Sequence, residues 1–208
     1  MLSTPLMRTR LFGCRSRGLL FAALWAILGS GASAAQHPED VDLAAHMRNG
    51  GAVLLLRHAD APGTGDPEGF RLDDCATQRN LSDAGREQAR SIGAWLRGRG
   101  IEQARVYSSE WCRCLETAEL LGLGPVTRLP ALNSFFERRA DREPNLAALE
   151  AFLKNQPPNG EPIVLVTHQV TVTALTGIYP ASGEAMLMRL SDQDRGKLEP
   201  LGRMDFGP

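Results

Sequence analysis

Two short, mainly apolar segments, each followed directly by a histidine, most constrain how this chain can fold. Residues 52–56 lead into Arg57 and His58, and residues 163–167 lead into His168. A short apolar segment that ends at a polar loop is typical of a strand buried on both faces, as in parallel sheets covered by helices. The sequence therefore predicts an α/β protein in which both histidines follow the carboxyl ends of strands.

Hydrophobic patterns along the rest of the chain alternate between those of strands and those of helices. Strands are predicted at residues 52–57, 104–108, 126–129, 163–167, 186–190 and 198–204, and helices at residues 41–47, 82–99, 110–121, 145–154 and 170–176. The predicted fold is a three-layer sandwich with a mostly parallel central sheet and helices on both faces. Residues 59–80 form a polar loop whose length suggests a functional role, and residues 131–144 are predicted to be irregular.

The first 34 residues have the layout of a secretory signal peptide. Four arginines without an acid precede an apolar segment at residues 19–28, and Ala32-Ser33-Ala34 forms a small-residue cleavage site. The apolar segment is shorter than the ~20 residues that span a bilayer. We expect cleavage after Ala34, a single domain over residues 35–208 without a membrane span, and a periplasmic or secreted protein; an uncleaved anchor is the alternative.

The charge distribution argues against a nucleic-acid partner. The full chain has a net charge of −1, and removal of the arginine-rich first segment makes the remainder more acidic. The sequence has no basic stripe, and only 6% of its residues are aromatic. A protein of this charge that binds phosphate must therefore concentrate its positive charge locally.

Three cysteines remain beyond the predicted cleavage site. Cys75 is expected to pair with Cys112 or with Cys114, because export permits disulfides, and free buried thiols are the alternative. A zinc site at Cys112 and Cys114 is not favoured, since no further ligands with matching spacing accompany them.

Four side chains are predicted to meet at one edge of the sheet: Arg57, His58, Arg113 and His168. Arg113 belongs to the first turn of the helix that follows the second strand. The dipole at the amino end of that helix also favours an anion. One guanidinium group can bind two phosphate oxygens at once, and its positive charge keeps a nearby imidazole neutral. The set therefore predicts a phosphate site with a histidine nucleophile.

Four sequence blocks resemble the histidine phosphatase superfamily, which includes phosphoglycerate mutase-like enzymes. Residues 56–59 (LRHA) resemble its Arg-His-Gly/Ala signature, and residues 80–89 (NLSDAGREQA) are similar to its Leu-Thr/Ser-x-x-Gly-x-x-Gln-Ala helix start. Residues 107–118 (YSSEWCRCLETA) resemble its Ser-Ser-x-x-x-Arg-x-x-x-Thr-Ala block, and residues 166–168 (VTH) its second-histidine strand. The blocks stand in the order of the family.

The resemblance implies a role for each matching residue. His58 would attack phosphorus and become the phosphohistidine, and His168 would complete the pocket and stabilise the transferring group. The implied phosphate contacts are Arg57, Arg113, Thr64 and Gln169, the last standing where the family usually has glycine. No metal or other cofactor is implied, because the arginines supply the charge stabilisation.

The general acid is the point at which the sequence departs from the family. Much of the family carries Leu-x-Glu, whereas the matching residues 132–134 read Leu-Asn-Ser. An alkoxide leaving group needs a proton, commonly from a carboxylic acid. Glu137 is the first candidate for this role, Asp60 the second and Glu184 the third.

Together these features predict an exported, metal-independent phosphomonoesterase that acts through a phosphohistidine. Its expected partner is a phosphorylated small molecule or envelope glycan; by resemblance, a heptose phosphate of the lipopolysaccharide core is one such sugar. A phosphomutase is an alternative, although the short chain has no obvious large lid with which to exclude water. A non-catalytic domain that binds phosphate or a phosphoprotein is the other alternative, and the missing glutamate supports it.

Overall fold

The computed structural model describes residues 38–191, 194 and 196–206, so the predicted signal peptide and Cys14 lie outside the described residues. Strands and helices alternate along most of this part of the chain. The strands are β1 (Ala52–Arg57), β2 (Arg105–Ser108), β3 (Val126–Arg128), β4 (Ile163–Thr167), β5 (Ala185–Leu190) and β6 (Leu198–Met204). The helices are α1 (Pro38–Arg48), α2 (Asp83–Arg97), α3 (Cys112–Leu121), α4 (Arg142–Lys154) and α5 (Gln169–Thr176).

The central sheet has the strand order β3-β2-β4-β1-β5-β6. The first four of these strands are mutually parallel, whereas β5 runs antiparallel to β1 and β6 antiparallel to β5. Leu56 and Ser108 both pair with Val166, so β1, β4 and β2 end at the same edge. The predicted α/β fold with a mostly parallel sheet is confirmed.

Each face of the sheet carries its own apolar core, because neighbouring residues of a strand point in opposite directions. Leu54 and Leu56 of β1 pack with apolar residues of α1, α2 and α3. Val53 and Leu55 pack instead with apolar residues of α4 and α5. Helices therefore cover both faces, which explains why the inner strands are apolar throughout. Among the described residues, no helix combines the length and apolarity needed to cross a bilayer.

Helix α4 begins earlier than predicted. Residues 142–144, expected to be irregular, form its first turn, and short 3-10 turns at Pro130–Leu132 and Arg139–Asp141 precede it. Pro144 is tolerated there because N–H groups in the first turn of a helix have no intrahelical partner. Helix α3 begins at Cys112, two residues later than expected.

The start of α2 is fastened to the chain just after His58. Ser82 caps the helix by accepting from the backbone N–H of Gly85 at 2.9 Å, and its own N–H donates to the carbonyl of Asp60. A Cβ at Gly85 would lie 2.0 Å from that carbonyl oxygen. Only glycine permits this approach, which fixes the first residues of the loop that borders the site.

Candidate active site

A cavity opens at the carboxyl edge of the parallel strands. His58 directly follows β1, His168 directly follows β4, and Arg113 lies in the first turn of α3, which follows β2. The cavity has a volume of about 380 Å³, a size typical of small-molecule sites. All the residues predicted for catalysis and phosphate binding line it: Arg57, His58, Thr64, Arg113, Glu137, His168 and Gln169.

His58 is held as a neutral imidazole with one ring nitrogen free. Its side chain is buried, and Nδ1 lies 2.8 Å from the carbonyl oxygen of Ala59. A carbonyl oxygen can only accept, so Nδ1 carries the proton and Nε2 keeps its unshared electron pair. Burial, and after it the charge of Arg113, lowers the pKa of His58 to about 3. The imidazole therefore has the protonation state that a nucleophile requires at neutral pH.

His168 stands edge-on to His58, with 5.6 Å between the ring centroids. Its Nε2 lies 2.8 Å from the hydroxyl oxygen of Ser109, and that hydroxyl donates to Oδ1 of Asn133 at 3.2 Å. Because serine has a single hydroxyl hydrogen, the Ser109 oxygen accepts from Nε2–H of His168. Burial, followed by the charges of neighbouring arginines, lowers the pKa of His168 well below its ordinary value. The second ring is thus fixed in place without a charge.

Three arginines, Arg57, Arg79 and Arg113, act on both histidines through their charge. Nη1 of Arg57 donates to the carbonyl of Pro180 at 2.8 Å, and Nε of Arg79 donates to that of Gly65 at 2.7 Å. Within the described part of the chain, the buried Nε atoms of Arg57 and Arg113 find no hydrogen-bond partner. A buried N–H without a partner is costly, and an oxyanion would satisfy both.

Asp66 is buried against Arg113 and is surrounded by donors. Its Oδ1 accepts from Nη1 of Arg113 at 2.8 Å and from the backbone N–H of Arg79 at 3.0 Å. Its Oδ2 accepts from Nη2 of Arg113 at 3.1 Å and from Nε1 of Trp111 at 3.0 Å. Burial opposes ionisation of Asp66, but the hydrogen bonds and the charge of Arg113 outweigh it and lower its pKa. Asp66 is therefore an ionised carboxylate that is paired with Arg113.

The three predicted general-acid candidates occupy different places. Glu137 lines the cavity, where its Oε1 accepts from the backbone N–H of Asp66 at 2.9 Å. Asp60 lies outside the cavity lining and accepts from the hydroxyl that caps α2 at 2.7 Å, and Glu184 is bound to Arg203. In the part of the chain that the structure describes, no three His, Cys, Asp or Glu side chains are grouped so as to hold a metal ion.

The remaining predicted contacts lie on the rim of the cavity. Gln169 is the first residue of α5, and its Nε2 donates to Oγ1 of Thr173 at 2.7 Å. Thr64 comes from the long loop, between two glycines. Ser134, where the family's glutamate was expected, also lines the cavity. Hydroxyl and amide side chains therefore line the same cavity as the three arginines.

A disulfide joins the long loop to α3 beside Arg113. It links Cys75 to Cys112, with 5.7 Å between the Cα atoms, which confirms one of the two predicted pairings. Cys114 is a free, buried cysteine, and burial raises its pKa to about 12, so it stays a thiol. Residues 59–80, which supply Asp66 and other parts of the site, are thereby anchored at the guanidinium that they pair with.

Sequence reasoning missed Arg79, Asp66 and Asn133. Arg79 directly precedes the helix-start block, and this position was the available signal for it. Asp66 is one of several acids in a polar loop, and nothing local links it to an arginine on a distant helix. In the sequence, Asn133 stands out only as part of a departure from Leu-x-Glu, whereas in the structure its Oδ1 accepts from the hydroxyl of Ser109 beside His168.

Residues 53–140 match the family model described as histidine phosphatase superfamily, branch 1. The match includes the first histidine, the loop and the arginine helix. No curated protein sequence matches the chain.

Solved structures share the fold at low sequence identity. The protein histidine phosphatase SixA, complexed with tungstate, superposes with a TM-score of 0.54 and 21% identity, covering 74% of this chain and 97% of its own. SixA from Nakamurella multipartitia gives 0.54 and 19%, with 74% and 95% covered. YhfR of Bacillus stearothermophilus gives 0.51 and 17%, with 72% and 95% covered. At these identities the likeness concerns the fold.

Proposed function

We propose that this chain, a member of the histidine phosphatase superfamily, is a metal-independent phosphomonoesterase that forms a phosphohistidine on His58. One observation carries the proposal. A neutral imidazole with an unprotonated Nε2 lies among three arginines, and the buried Nε atoms of two of these have no hydrogen-bond partner among the described residues. This arrangement offers a nucleophile and oxyanion donors in one cavity.

The first half-reaction transfers the phosphoryl group to the protein. Nε2 of His58 attacks phosphorus, a P–N bond forms, and the ester P–O bond breaks on the opposite side. Arg57 and Arg113 bind the non-bridging oxygens, with Thr64 and Gln169 as additional contacts from the rim. The leaving oxygen takes a proton, for which we propose Glu137.

The second half-reaction returns the protein to its starting state. Water attacks phosphorus, the P–N bond breaks, and its electron pair returns to Nε2 of His58. Glu137, now a carboxylate, accepts the proton of the attacking water, and inorganic phosphate leaves. His168, whose Nε2 is held by the hydroxyl of Ser109, completes the pocket beside the transferring group.

The cavity mouth favours a substrate that carries a ring. Phe136 and Tyr179 both line the cavity, yet they are 46% and 70% exposed, unlike the large apolar residues of the core. Aromatic faces at a binding site stack against sugars and aromatic rings. Together with the signal-peptide-like start and the disulfide, this supports an exported enzyme that acts on a phosphorylated envelope sugar. N-terminal sequencing of the protein from a periplasmic fraction tests the export: a mature chain that begins after Ala34 supports it, and an intact start contradicts it.

The deciding experiment is hydrolysis of p-nitrophenyl phosphate by the purified protein, with and without a chelator, beside His58→Ala. We expect chelator-resistant turnover that the variant lacks, and an acid-labile, base-stable phosphoryl label on the wild type alone. Sugar phosphates and a phosphoramidate follow, the latter because SixA is named a protein histidine phosphatase. If tungstate raises the melting temperature of the wild type but no phosphoester is turned over, the protein is a binder and the proposal is wrong.

A further inference from the structure

We propose that Asp66 is a positioning residue: it holds Arg113 by one edge so that the other edge faces the phosphoryl group. The inference rests on the proposed function, because it concerns how the same site binds its substrate. Asp66 and Arg113 are both buried, with side-chain exposures of 4% and 3%. They come from the long loop and from α3, so their contact is made only by the tertiary fold.

The five N–H groups of Arg113 divide into two sets. Nη1 donates to Asp66 and also to the carbonyl of Arg79 at 3.2 Å, and Nη2 donates to the other carboxylate oxygen. The Nε–H and the second hydrogen of Nη2 remain, and these lie on the same edge of the guanidinium plane. Nε is buried without a partner among the described residues. This edge matches two oxygens of a phosphoryl group.

The carboxylate is a fixed part of the site and does not act as a plug that the substrate expels. Besides Arg113, it accepts from Nε1 of Trp111 and from the backbone N–H of Arg79. Its departure would leave these two donors without their acceptor and would free the guanidinium to rotate. Substrate can engage the free edge of Arg113 while all four bonds to Asp66 stay in place.

Asp66 also sets the charge of the cluster. Three guanidinium groups act on His58, and one carboxylate is paired with them, which leaves two positive charges. A phosphomonoester is close to a dianion at neutral pH, since its second pKa is about 6. The net charge of the cluster therefore matches that of the substrate. Asp66 also keeps the guanidinium of Arg113 from turning toward other acceptors.

The test is the kinetics of Asp66→Ala on p-nitrophenyl phosphate, with formate added as a small carboxylate to fill the vacated space. We expect kcat/KM to fall about 100-fold, as for a misplaced catalytic contact, and formate to restore a substantial part of it. Asp73→Ala is the matched control from the same loop, because its side chain is 88% exposed. Asp74→Ala controls for loop loosening, since Asp74 caps the 3-10 turn at Cys75–Thr77 and does not contact Arg113.

Each outcome has a distinct meaning. Loss and formate rescue in Asp66→Ala, without rescue in Asp74→Ala, supports the positioning role. Unchanged kcat/KM in Asp66→Ala overturns it, and increased kcat/KM identifies Asp66 as a plug and also overturns it. Wild-type protein without turnover contradicts the proposed function instead; tungstate binding by calorimetry then tests Asp66 directly, and equal affinity of wild type and variant would overturn the inference.

Discussion

The disulfide between Cys75 and Cys112 should stabilise the protein by a predictable amount. The two residues are 37 positions apart, and closing a loop of this length in the unfolded chain corresponds to about 4 kcal/mol. For a domain of this size, each kcal/mol shifts the melting temperature by about 2–4 °C. Replacing both cysteines by serine should therefore lower the melting temperature by roughly 10 °C.

The assay is thermal and urea unfolding followed by tryptophan fluorescence, on wild type and on Cys75→Ser/Cys112→Ser, each with and without reductant. Reductant should bring the wild type to the stability of the double variant and leave the stability of the variant unchanged. Cys114 is a free thiol in both proteins, so it does not contribute to the difference. Phosphate affinity should fall too, because the loop that carries Asp66 and Arg79 would be held only by non-covalent contacts. One such contact is the hydrogen bond that the backbone N–H of Cys112 donates to Oε1 of Gln78. A stability change below about 1 kcal/mol would refute the loop-entropy reasoning.

Further predictions concern charge, proton transfer and the cavity mouth. The pKa of His58 is about 3 in the folded protein and near 6.5 when unfolded, so the unfolded chain binds more protons as the pH falls below 6.5. Between pH 7 and pH 4 the free energy of unfolding should drop by about 3 kcal/mol more for wild type than for His58→Asn, and equal slopes would contradict this. Glu137→Gln should lower kcat/KM for glycerol phosphate about 100-fold but that for p-nitrophenyl phosphate much less, since kcat/KM reports the phosphoryl-transfer step and nitrophenolate leaves without a proton. Glu143→Gln is the control, because the Glu143 side chain is 76% exposed, and equal losses of kcat/KM on both substrates in Glu137→Gln would argue against an acid role. The double variant Phe136→Ala/Tyr179→Ala should raise KM several-fold for sugar phosphates and leave that for glycerol phosphate unchanged, whereas a uniform rise would rule out ring stacking.

Local sequence determined the elements that frame the site. The apolar residues of β1 and β4 could satisfy burial on both faces only in a covered parallel sheet, and such strands end at a common edge. The positions of His58 and His168 therefore followed from the pattern of their own segments. The hydroxyl of Ser82 likewise marked the start of α2, because helix capping is a local interaction.

The pairing of the charges depends on contacts between residues that are distant in sequence. Asp66 and Arg113 meet across 47 residues of sequence, and the choice of Cys112 over Cys114 as the partner of Cys75 depends on which side of α3 faces the loop. Glu137 lines the cavity, whereas Asp60 is bonded to Ser82 and Glu184 to Arg203. Composition and spacing do not predict this difference. The periodicity of apolar residues is a property of neighbouring positions in the sequence, but ion pairs and pKa values depend on groups that folding brings together. The hydrophobic pattern of the chain predicts the strands, the helices and the places of the two histidines, whereas three-dimensional packing selects the charges that act on them.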